Sequence, residues 1–75
     1  MRYYAVLSAN CISPENFPVG TFIVNSGVYD TTKKLENIDD FSRLRDYMFE
    51  GANKDFIKKL NIFKENTHIT YIKEL

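Results

Sequence analysis

Tryptophan is absent from this 75-residue chain, cysteine occurs once, glycine three times and proline twice. Each scarcity removes a class of protein. A lone cysteine, Cys11, cannot staple its own domain, so folding does not require an oxidising compartment. No apolar run nears the roughly 18 to 20 residues that cross a bilayer, so a soluble protein is expected. The three glycines, Gly20, Gly27 and Gly51, stand apart without the spacing of a phosphate-binding loop, and each reads as a turn or a cap. Ten basic and ten acidic residues cancel. No whole-molecule field therefore draws the chain toward a polyanion or an anionic membrane, and any such partner would need a local patch.

The opening stretch RYYAVLSANC is a poor export signal. Arg2 supplies one positive charge, but the apolar run from Tyr3 to Ala9 is shorter than most signal cores. A lipoprotein reading asks for leucine and a small residue ahead of the cysteine, where Ser8 and Asn10 stand. The cytoplasm is the expected compartment.

What the chain does contain is bulk: 44 per cent hydrophobic residues, with six Phe and five Tyr. That is enough large apolar surface to build a core, and the length allows one domain, residues 1–75. Tyr3 to Ala9 mixes aromatic, β-branched and small side chains without helical spacing. Both of its faces are apolar, which predicts a strand inside a sheet, followed by a loop through Pro14 and Pro18. Gly20 to Asn25 predicts a second strand, and Val28 to Lys33 a returning edge strand across a tight turn at Asn25-Ser26-Gly27.

NIDDFSRLRDYMFEG predicts a helix capped by Asn37, with Asp39 and Asp40 in the first turn and Gly51 as its stop. Ile38, Phe41, Leu44 and Met48 form its apolar stripe. A second helix is predicted from Asn53 through Phe56, Ile57, Leu60 and Phe63. THITYIKEL follows as a last strand, alternating Ile69 and Tyr71 against Thr70 and Ile72. The order β-β-β-α-α-β predicts an α+β fold. Its antiparallel or mixed sheet of three to four strands would carry two helices on one face, with the closing strand beside the first.

Catalytic readings find little footing. Cys11 needs a base to become a nucleophile, and His68 alone could serve, with no signature around either. That leaves a thiol-dependent enzyme as a third-rank alternative. One cysteine and one histidine give no zinc spacing, and the calcium-loop spacing is absent. Nothing implies a cofactor or a metal. Nothing places two carboxylates across a cleft for hydrolysis.

Surface features say more. Residues 30–50 hold six acids against four bases, whereas residues 53–64 hold four lysines against one acid. Two helices cover only one side of a sheet, so its large residues cannot all be inside. The leading expectation is a non-enzymatic regulator or inhibitor that binds a larger protein, or a second copy of itself, through an exposed sheet face. Tyr4, Tyr29 and Tyr71 would grip, and Glu36, Asp46 and Glu50 would orient. The alternative is a weak RNA- or DNA-binding module, using Lys54, Lys58, Lys59 and Lys64 on phosphates and tyrosines as stacking platforms. The richness in Asn, Lys, Ile and Tyr suits an accessory gene of a phage or mobile element.

Overall fold

A computed structural model describes residues 1–12 and 18–75, with side chains described at residues 1–10 and 20–75. The loop predicted around Pro14, and the thiol of Cys11, lie outside the described residues. Three strands form one antiparallel sheet: β1 (Arg2–Ile12), β2 (Pro18–Asp30) and β3 (Thr67–Glu74), in the spatial order β2-β1-β3. The strand that is apolar on both faces takes the middle, and the closing strand lies beside the first, as expected.

Between β2 and β3 come α1 (Ile38–Glu50) and α2 (Lys54–Leu60), then a 3-10 turn over Lys64–Asn66. Both helices pack on the same face of the sheet. Tyr3, Ala5, Leu7 and Ala9 of β1 are buried on that side. The small side chains of Ala5 and Ala9 flank Leu7 and leave room for Leu44 and Met48 of α1 to come down onto the sheet. Phe56, Ile57 and Leu60 of α2 close the margin of this core.

The second and third predicted strands are one. No turn forms at Asn25-Ser26-Gly27, because β2 runs on through these residues, paired with β1 from Ile12↔Pro18 to Arg2↔Asp30. The turn-prone residues have strand duties instead. Asn25 donates from Nδ2 to the Met48 carbonyl of α1 at 2.8 Å, tying sheet to helix. Gly27 lies under the Tyr29 ring, whose hydroxyl oxygen would sit 3.6 Å from an added Cβ.

Two bulges shift the alternation of side chains. Leu7 pairs with Asn25 and Ser8 with Ile23, so Val24 is an extra residue and turns into the core. Val6 pairs with Tyr71 and Leu7 with Ile69, so Thr70 is extra in β3. Hence Ile69 and Ile72 both face the helices while Tyr71 faces away, which corrects the simple alternation expected for that strand. A third irregularity near Gly20, whose φ of +131° suits glycine, lies between Cys11↔Gly20 and Ile12↔Pro18.

α1 begins as predicted. Asn37 Oδ1 accepts from the Asp40 N–H at 2.9 Å, and Asp40 Oδ2 accepts from the Asn37 and Glu36 N–H groups, closing a capping box. Satisfying those groups turns Asp40 inward, and the buried stripe becomes Asp40, Leu44 and Met48. Ile38 is 83% exposed and Phe41 36% exposed, so neither belongs to the core stripe expected of them. α2 stops earlier than predicted. Asn61 adopts a left-handed conformation (φ 54°) and its N–H caps the Ile57 and Lys58 carbonyls, so Ile62 turns inward and Phe63 outward.

Candidate functional site

With both helices on one side, the other face of the sheet has no covering layer among the described residues. β1 directs Tyr4, Val6 and Ser8 to it, and register places Ser26, Val28 and Ile23 of β2 beside them. From β3 come His68, Tyr71 and Lys73. The bulges decide this membership: without the extra Thr70, Tyr71 would fall on the helix side.

At the centre the Tyr4 and Tyr71 rings meet edge to face, with centroids 6.0 Å apart and an interplanar angle of 62°. Tyr71 is directly opposite Val6, so the two rings are diagonal cross-strand neighbours. They remain open to solvent, Tyr4 at 37% and Tyr71 at 51%, beside Val28 at 55% and Ile23 at 63%. Polar groups frame this apolar middle. Arg2 and Asp30 pair at 2.9 Å at one end, and Thr21 donates to Asn10 at 2.8 Å at the other. An apolar centre with a polar rim is the anatomy of a protein interface.

Ser8 stands opposite His68 in the register, but its hydroxyl bonds with that of Thr70 at 2.9 Å. The serine therefore has a hydroxyl partner and is not engaged by the imidazole. Among the described residues, no group of three His, Cys, Asp or Glu is placed to hold a metal ion. No helix among the described residues is long and apolar enough to cross a membrane.

The predicted binding residues divide between two layers. Tyr4 and Tyr71 come together on the open face. Tyr29 lies on the helix side, edge to face with Tyr47 at 5.8 Å, and burial holds its hydroxyl pKa above the ordinary value. Glu36, Asp46 and Glu50 also belong to the helix layer. Asp46 pairs with Arg45 at 3.2 Å and Glu50 with Lys54 at 3.7 Å, so the sheet separates them from the tyrosine pair. Lys54, whose ammonium also sits over the Phe49 ring, stands with Lys58, Lys59 and Lys64 in that same layer. Val28 and Ile23 joined the face unannounced, since their side depends on the bulge at Val24.

No protein-family profile, curated protein or solved structure matches the chain.

Proposed function

We propose that this chain acts by binding a larger protein through the open face of its sheet, as a small regulator or inhibitor with no chemistry of its own. The observation that carries the reading is the solvent-open Tyr4–Tyr71 pair at the middle of an uncovered face, flanked by Val28 and Ile23 and framed by polar ends. Tyrosines supply large contact area at low cost in rotamer freedom, and central aromatic pairs dominate binding energies. The acids of α1, on the far layer, have no part in this contact. The nucleic-acid alternative pairs Lys54, Lys58, Lys59 and Lys64 with sheet tyrosines, and those four lysines lie in the helix layer, across the sheet from Tyr4 and Tyr71.

The test is affinity capture from the native host with the parent chain and with Tyr4→Ala and Tyr71→Ala, each first shown to melt as the parent does. Capture of one protein by the parent and its loss with either variant supports the reading. Retention of nucleic acid, released by salt, would replace it with the alternative. Equal capture by all three chains would remove the tyrosine face from the account.

A further inference from the structure

We propose a second docking site at the free edge of β2, which accepts an extended acidic segment of a partner protein as a fourth strand. Three observations converge there. The first is backbone direction. Met1 and Thr31 exchange both of their hydrogen bonds at 2.8 Å, so β2 turns Thr31, Tyr29 and Gly27 toward β1 in antiparallel alternation. Val28 and Asp30 then direct their N–H and C=O groups outward, and nothing among the described residues pairs with the backbone of Val28. Ser26 is guarded, because its N–H donates to the Asn25 side chain at 2.9 Å.

The second observation is a groove of about 620 Å³ alongside this same stretch, between residues 28–33 and α1. Tyr29, Leu35 and Leu44 give it an apolar floor, and the exposed ring of Tyr47 forms one lip. A strand added to Val28 and Asp30 would point alternate side chains into this space.

Charge is the third. Of the four ionised groups on the groove, Asp40 is buried and accepts two backbone N–H bonds, and Asp30 is paired with Arg2. Lys33 and Arg43 make no salt bridge with any described residue. The groove thus has apolar depth and two cations that feel the Asp40 charge but make no direct ion pair with it, which leaves their N–H groups open to an occupant with an apolar side chain and a carboxylate two residues apart. The other edge is built differently: β3 is shorter and carries Lys73 and Glu74, features that discourage strand addition.

The site adjoins the tyrosine face at Val28, whose side chain belongs to that face and whose backbone belongs to this edge, and the experiment separates the two through Arg43 and Tyr47. The probe is a blocked eight-residue threonine peptide with leucine and glutamate two positions apart, titrated into the full chain by amide chemical shift. Shifts are expected at Val28, Asp30, Arg43 and Tyr47, with affinity falling as salt rises. Arg43→Glu should weaken binding about tenfold or more, and Tyr71→Ala should leave it unchanged. Several results would overturn the proposal: no shifts at millimolar peptide, equal binding of a lysine-for-glutamate or an N-methylated peptide, or shifts centred on Tyr4 and Tyr71. Sedimentation showing a dimer abolished by Val28→Lys would give the edge to a second copy instead.

Discussion

The two faces of β1 are made of the same backbone and neighbouring residues, yet they have opposite fates. Leu7 and Ala5 are fully buried beneath α1, while Tyr4, one residue away, is 37% exposed. The covered face carries small or aliphatic side chains that let a helix approach closely, and the open face carries rings and β-branched residues standing free. Burial supplies folding energy and, on the proposed reading, exposure serves recognition, so a pleated layer this small would divide the two tasks by parity alone. Substitutions on the covered face should then damage stability first, and those on the open face should damage binding first.

The sharpest break in that comparison would come from Met48→Ala. Met48 is fully buried against the covered face, and truncating such a side chain costs about 2 to 5 kcal/mol. That is a large share of the roughly 4 to 11 kcal/mol that per-residue averages give a chain of this length. Urea unfolding of the variant should show a much lower midpoint with a similar slope. A loss below about 1 kcal/mol would mean that the covered face is loosely packed and the contrast between faces is weak.

Next in size is the cap that orients α1. Asn37→Ala removes the acceptor for the Asp40 N–H and should cost about 1 kcal/mol, read from the same unfolding curves. The Asp40 carboxyl is held below its ordinary value of 3.8, first by the N–H of Glu36 and further by that of Asn37 and the charges of Lys33 and Arg43. A depressed carboxyl stabilises the folded chain fully above its unfolded pKa, and that contribution is lost as pH falls through the folded value. Stability followed downward from pH 6 should therefore fall off at acid pH, and Asp40→Asn should flatten part of that slope. An unchanged acid limb would show that Asp40 does not hold the helix start.

These elements also show how far the residues alone could be read. The central strand, the Asn37 cap, the Gly51 stop and the closing strand beside the first are local or pairwise features, and each was legible in side-chain type and spacing. The bulges at Val24 and Thr70 were not, because an extra residue is defined only against a partner strand. Their effect is large: they put Val24 in the core and Tyr71 on the open face. The turn read at Asn25-Ser26-Gly27 failed for the same reason, since the tie from Asn25 to the Met48 carbonyl is a tertiary contact 23 residues away in sequence. Ile38 and Phe41 fitted a helical stripe by spacing, but the capping box set which stripe faced inward. Of the candidate site, Tyr4 and Tyr71 were legible as large residues on strands with more bulk than one core could hold. Their pairing with each other was not.

The smallest expected effect on stability carries the most information about function. Tyr71→Ala removes a half-exposed ring and its edge-to-face contact with Tyr4, which is worth about 0.5 to 1.5 kcal/mol beyond area. Because water already reaches much of the ring, the measured loss should lie near or below the bottom of that range. Tyr71→Phe keeps the ring and should be neutral for folding. If Tyr71→Ala instead unfolds the chain as Met48→Ala does, the open face is part of the core and the division by parity fails. If it melts like the parent, exposure on that face has no folding role, as the proposed binding reading requires.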